Sequence, residues 1–121
     1  MGTFAVSVKD NGEYKFTYND NRGKILVTSN SFKSKNECLE NINLLKIEIE
    51  NTTFTKHKTT ANKLYFKILL NNETIGVSRK FTTVLRLENA IADIKLNIKQ
   101  SEMLDFTSYA FPEINFEDSE L

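Results

Sequence analysis

Apolar and polar residues alternate along Tyr14-Lys15-Phe16-Thr17-Tyr18, the period of a strand with one face buried and the other wet. Asn19-Asp20-Asn21-Arg22-Gly23 follows, a cluster whose Asn, Asp and Gly tolerate positive φ and turn the chain, and Lys24 to Thr28 returns as the partner strand. The pattern recurs downstream. Leu64 to Leu70 alternates, Asn71-Asn72 turns, and Thr74 to Ser78 returns. Phe4 to Val8 alternates as a further strand, and strands are expected over Thr53 to Lys58 and Met103 to Phe106. Two stretches carry helical spacing instead. Cys38, Ile42, Leu45 and Ile49 stand four, three and four apart, and Val84, Leu87, Ile91, Ile94 and Ile98 three, four, three and four apart. Each predicted helix therefore turns one apolar stripe toward a core. Ser34 with Glu37 makes a capping box ahead of the first; Thr83 keeps the cap of the second, with Arg86 where the reciprocal acid would stand.

These elements are copies. Phe4 lies over Phe54, and Tyr14, Phe16 and Tyr18 over Leu64, Phe66 and Ile68, at an offset of 50. One residue is lost in the turn, and the offset of 49 then places Leu26, Ser29 and Phe32 over Ile75, Ser78 and Phe81. Cys38, Ile42, Leu45 and Ile49 fall on Leu87, Ile91, Ile94 and Ile98 at the same offset. One copy, at under ~50 residues, is too small to bury a stable core alone, whereas two can pool their apolar faces. The expected fold is α+β: two ββ(β)α repeats forming one antiparallel sheet, two helices packed on one face, and pseudo-twofold symmetry. Residues 1–121 are read as a single domain of two repeats, about 3–52 and 53–100, plus a C-terminal tail, 101–121.

Thr28-Ser29-Asn30-Ser31-Phe32-Lys33-Ser34-Lys35, then Glu37 and Asn41-Ile42, resembles the Ser-x-x-Tyr-x-Ser-Lys stretch of the YegP-like family of small bacterial proteins. Gly76-Val77-Ser78-Arg79-Lys80-Phe81, then Asn89-Ala90-Ile91, is similar and more diverged. The resemblance covers roughly residues 4–100 and implies two β-rich repeats assembled into one sheet with exchanged end strands. It implies no activity. The sequence departs from the family pattern in its turns (Arg22-Gly23 and Asn71-Asn72 for Asn-Gly), in Phe for the motif Tyr, and in the tail.

Composition narrows the function classes. The 121 residues are 40% hydrophobic and 26% charged, with five Gly and Pro together, which excludes collagen-like, disulfide-framework and wholly disordered chains. No apolar run approaches the ~20 residues of a membrane span. The single Cys38 forbids an internal disulfide, and a cytoplasmic location is expected. All 16 Lys and Arg precede Gln100, while Glu102, Asp105, Glu113, Glu117, Asp118 and Glu120 follow it, so a basic body carries an acidic tail. Attraction and burial of tail aromatics are expected to pack Met103 to Phe106, and also Tyr109 to Phe116, on the body.

No constellation for chemistry stands out. His57 is the only histidine and reads as an exposed strand residue; Cys38 lies on a helical stripe and reads as a buried apolar side chain. Ser29 and Ser78 are expected to hydrogen-bond in the strand-to-helix connections, and Phe32 and Phe81 to staple the helix entries. No catalytic, metal or cofactor residues are expected, nor a membrane partner. Lys15, Tyr65 and Lys67, facing away from the helices, with Lys33, Lys35, Arg79 and Lys80 at the helix entries, form the candidate binding surface for a phosphate backbone or an acidic protein segment. The expected function is a monomeric, non-enzymatic binding protein for an unknown partner. A weak nucleic-acid or other polyanion binder is the alternative, and an enzyme the third reading.

Overall fold

The computed structural model describes residues 2–107. Its elements run β1 (Thr3–Val8), β2 (Tyr14–Asn19), β3 (Ile25–Ser29), α1 (Lys35–Ile47), β4 (Thr53–Lys58), β5 (Leu64–Leu70), β6 (Glu73–Ser78), α2 (Val84–Asn97) and β7 (Glu102–Asp105). The described strands form one sheet in the order β4-β5-β6-β3-β2-β1-β7. All neighbours are antiparallel except β1 and β7, which run parallel. The sheet is therefore mixed, not wholly antiparallel as its hairpins suggest. A strand that follows a helix reaches the far edge by a crossover, and a crossover can return it in parallel. Exchange of end strands is seen in β7 alone, since β4 pairs with β5.

Both helices cover one face. Phe4, Val6, Phe16, Tyr18, Phe66 and Ile68 alternate inward from the strands and meet Cys38, Ile42 and Leu45 of α1 and Leu87, Ile91 and Ile94 of α2 in one core. Phe4 packs edge-on against Phe16 and Tyr18, with ring centroids 5.5 and 5.0 Å apart. The helical stripe is as expected but for its first member: Val84 is 61% exposed, and Ala90 takes a buried place instead. Val84 is the first residue after the Thr83 cap, where the helix has only begun to approach the sheet.

The strand-to-helix connections are alike in both halves. The Ser29 hydroxyl accepts from Phe16 N–H and donates to Asn30 C=O; the Ser78 hydroxyl accepts from Phe66 N–H and donates to Arg79 C=O. Phe32 then pairs with Tyr14, and Phe81 with Leu64, through two backbone bonds each. Their rings stack on Phe16 and Phe66 at 6.1 and 6.2 Å.

The halves join where β3 meets β6, with Val27 opposite Ser78 and Ser29 opposite Gly76. A Cβ on Gly76 would lie 2.7 Å from Val27 Cγ1 and 3.2 Å from Thr28 O. Gly76→Ala is expected to cost about 1–3 kcal/mol by overpacking this seam. Val27→Ala in the same chain should restore part of that loss in chemical denaturation. A Gly76→Ala protein as stable as the parent would show that the seam yields freely.

β7 is docked as expected, but not by buried side chains. Met103, Leu104 and Phe106 stay 46, 47 and 45% exposed. Its hold is polar: Glu102 N–H donates to Gly2 C=O, Phe106 N–H to Val6 C=O, and the Lys46 ammonium to Ser101 C=O. Asp105 pairs with Lys35, and this contact, with the Thr107 hydroxyl and N–H, lowers its carboxyl from 3.8 to about 2. A depressed carboxyl stabilises above its unfolded value, so the contribution is whole above about pH 4 and fades toward pH 2. The Phe106 amide, followed by NMR, should move toward its unfolded shift across that window, and Asp105→Asn should abolish the step. An amide indifferent to pH would mean that the ion pair does not hold β7. The Tyr109 to Phe116 expectation lies outside the described residues.

The other edge, β4, has no covering strand among the described residues. Where β1 turns Val6 and Val8 toward the helices, β4 carries Lys56 and Lys58, and Lys56 pairs with Glu88 of α2. The Lys95 ammonium sits 5.2 Å above the Phe54 ring.

Candidate functional site

A bulge in each half prepares the site. Tyr18 pairs with Val27 but Asn19 with Ile25, leaving Leu26 as the extra residue; Ile75 is likewise extra between Gly76 and Thr74. A bulge re-aims its side chain and bends the strand. Leu26 and Ile75 are both buried, each flooring a cleft between the hairpin turn of one half and the helix entry of the other.

The first cleft, about 500 Å³, lies between the β2–β3 turn and the entry of α2. Asp20 builds the turn: its Oδ1 accepts from Arg22 N–H and Lys24 N–H at 2.9 Å each, and Gly23 takes a φ of 85°. That fixes Arg22 and Lys24 at one rim. At the other, Arg79 N–H donates to Leu26 C=O (2.9 Å), which sets Arg79 and Lys80 above the floor. The Arg79 guanidinium lies 5.8 Å from the Phe81 ring centroid. Arg86 enters from the first turn of α2, its N–H held by the Thr83 hydroxyl. Five bases thus face two acids, Asp20 and Asp93. Both acids are engaged, Asp20 in the turn and Asp93 by the Asn97 side-chain amide at 2.6 Å. α2 has no acid in its first turn, so nothing there offsets the positive end of its dipole.

The second cleft, about 250 Å³, lies between the β5–β6 turn and the entry of α1. The 49-residue offset puts Glu73 at the place of Lys24, Asn30 of Arg79, Ser31 of Lys80 and Glu37 of Arg86. Its charged lining is Glu37 and Glu73 alone. Glu37 accepts from Lys33 N–H, one residue before the cap that the capping box assigns to it.

The seven residues singled out in the sequence do not meet in one patch. Arg79 and Lys80 enter the first cleft. Lys33 and Lys35 stand at the opposite end of the sheet, where Lys35 is taken by Asp105. Lys15, Tyr65 and Lys67 lie on the helix-free face. Lys15 and Lys67 are three strands apart there, roughly 14 Å. Between their strands come Val77 and Thr28, and Tyr65 stacks on His57 at 5.1 Å. Arg22, Lys24 and Arg86 were not singled out. Arg22 reads as a turn residue, Lys24 as the start of the returning strand and Arg86 as a lost cap arm, and only the β3–β6 junction brings them together.

Burial raises the Cys38 thiol to about 11, with Glu37 adding to it, so this cysteine is no ready thiolate. His57 is half-buried, its Nε2 2.8 Å from the Thr55 hydroxyl. Among the described residues no group of three or more His, Cys, Asp or Glu could hold a metal ion, and no helix is long and apolar enough to cross a membrane.

No family model matches the chain. Over 106 residues, 86% of its length, it is 21% identical to the "UPF0339 protein in ptx operon 5'region" of Stutzerimonas stutzeri, covering 96% of that protein. It is 24% identical over 109 residues to the UPF0339 protein YegP of Yersinia pestis, covering 88% of the chain and 97% of the relative. The solution structure of a UPF0339 protein from Shewanella oneidensis superposes with a TM-score of 0.81 at 20% identity, covering 94% of this chain and 98% of that one. That of YegP from E. coli, titled a protein of unknown function, superposes with a TM-score of 0.77 at 24% identity, covering 89% and 95%.

Proposed function

This chain is a YegP-like protein, and from that premise we propose that it is a non-enzymatic binding module that takes an anionic partner in the cleft at the entry of α2. We read the module as two copies of one repeat, monomeric because the second copy supplies the first with its partner, and acting in the cytoplasm. The observation that carries the proposal is the convergence of Arg22 and Lys24 with Arg79, Lys80 and Arg86, two groups remote from each other in sequence, on one concave site. Concentrated like charge in a concavity raises the local density of a counter-charged partner and steers its approach.

Retention on immobilised heparin tests this reading. Arg79→Ala with Arg86→Ala should elute at clearly lower salt than the parent, and Lys15→Ala with Lys67→Ala near the parent. The reverse order would move the binding site to the helix-free face of the sheet, as the polyanion alternative has it. Turnover of a ligand bound in the cleft would replace a binding module with an enzyme.

A further inference from the structure

We infer that the cleft at the entry of α2 is a site for a compact run of phosphates, such as a free polyphosphate or the triphosphate of a nucleotide. This rests on the anionic-partner reading above and names the chemistry of its ligand.

The fold itself does not ask for these cations. The equivalent cleft at the entry of α1 keeps a hairpin turn (shorter), the bulge and the helix entry, with Glu73 and Glu37 where this one has Lys24 and Arg86. A glutamate at that helical position satisfies a backbone N–H and suits the positive helix end, whereas Arg86 opposes the dipole. Arg86 is thus locally unfavourable, and Arg22, Lys24, Arg79 and Lys80 add mutual repulsion around it. A bound anion would offset both costs.

Density of charge then separates the candidate anions. Five bases against two engaged acids leave about three positive charges in about 500 Å³. Side-chain carboxylates on one face of an extended peptide recur every ~6–7 Å, so a cleft of this size takes few of them. A run of phosphates brings comparable charge within a few ångströms, with oxygens in the geometry that the forks of Arg22, Arg79 and Arg86 bind in pairs. The bases form a cluster, not the stripe that an extended nucleic-acid backbone follows. The open first turn of α2 adds to the cluster but is not its basis.

The full chain, labelled for NMR, would be titrated at near-physiological salt with tripolyphosphate, ATP, hexaglutamate and a short oligothymidylate. Tripolyphosphate and ATP should shift the amides of Arg22, Lys24, Arg79 and Arg86 and bind at least about tenfold more tightly than hexaglutamate. Equal affinity for the two would mark the phosphate run itself as the ligand, and a clear preference for ATP would mark a nucleotide. Arg86→Glu should weaken either by about tenfold or more without lowering the melting temperature, because it installs the residue that the other cleft already uses. Hexaglutamate binding as tightly in the same cleft would overturn the phosphate assignment and leave the anion-binding reading standing. Oligothymidylate binding more tightly than tripolyphosphate would overturn it in favour of an extended backbone. No shift in the cleft with any probe would overturn both.

Discussion

Divided between Thr52 and Thr53, the two halves will not fold as separate monomers. The first would keep three strands and a helix and the second four strands and a helix, but the core they share has no boundary along which to divide. Phe4, Phe16, Ile42 and Leu45 come from one half and Phe66, Ile68, Ile91 and Ile94 from the other, and all belong to one buried cluster. The cut would also bare the inner edges of β3 and β6 and strip Val27 of the β6 backbone at Gly76 that packs against it. Halves of this length bury too little apolar surface to offset the ordering of their chains. Residues 1–52 and 53–121, expressed apart, should therefore give collapsed NMR spectra or self-associate. A well-dispersed spectrum from either half as a monomer would refute the common core.

Ile42→Ala and Ile91→Ala should each lower the unfolding free energy by about 2–5 kcal/mol, through lost burial and the cavity that remains. The two residues occupy matching places on α1 and α2 and are 2 and 5% exposed. Val84→Ala is the control. At 61% exposure it should change stability by no more than about 0.5 kcal/mol, although spacing alone places Val84 on the same stripe as Ile91. Urea unfolding with unchanged slope measures all three. A cost below about 1 kcal/mol at Ile42 or Ile91 would mean that the helix is turned otherwise.

What the sequence disclosed was what depends on local spacing. Alternation marked β2 and β5, steps of three and four marked α1 and α2, and Ser34 and Thr83 marked where the helices begin, since each signal lies within a few residues. The bulges were not legible, because Ile25-Leu26-Val27 and Thr74-Ile75-Gly76 read as ordinary strand. Nothing local distinguishes an extra residue from the next in line, and the partner strand decides it. The parallel direction of β7 escaped for a related reason: Met103 to Asp105 announces a strand, but its neighbour, β1, is set by the path of the whole chain. The cleft lay beyond reach on both counts. Arg79 and Lys80 could be picked out beside a helix entry, but Arg22 and Lys24 join them only through the antiparallel seam of β3 and β6. One signal did point there, the Arg86 that stands where Glu37 closes the first cap.

The unlike edges of the sheet bear on how this protein behaves when crowded with its own copies. A sheet edge is a template, and any extended chain can lengthen it unless something intervenes. Beyond β1 the outermost described strand is β7, which takes up the Gly2 and Val6 carbonyls and offers as the new edge only four residues, with an acid at either end, Glu102 and Asp105. At β4 charge intervenes, with Lys56 and Lys58 where a stacking neighbour would need apolar side chains. One end of the sheet is thus blunted by a short strand flanked by acids, and the other by the desolvation that burying ammonium groups would demand. Growth from strand to fibre is discouraged at both ends by different physics, and acid, which weakens the hold of Lys35 on Asp105, loosens β7 over the longer edge of β1 and leaves the β4 end as it was.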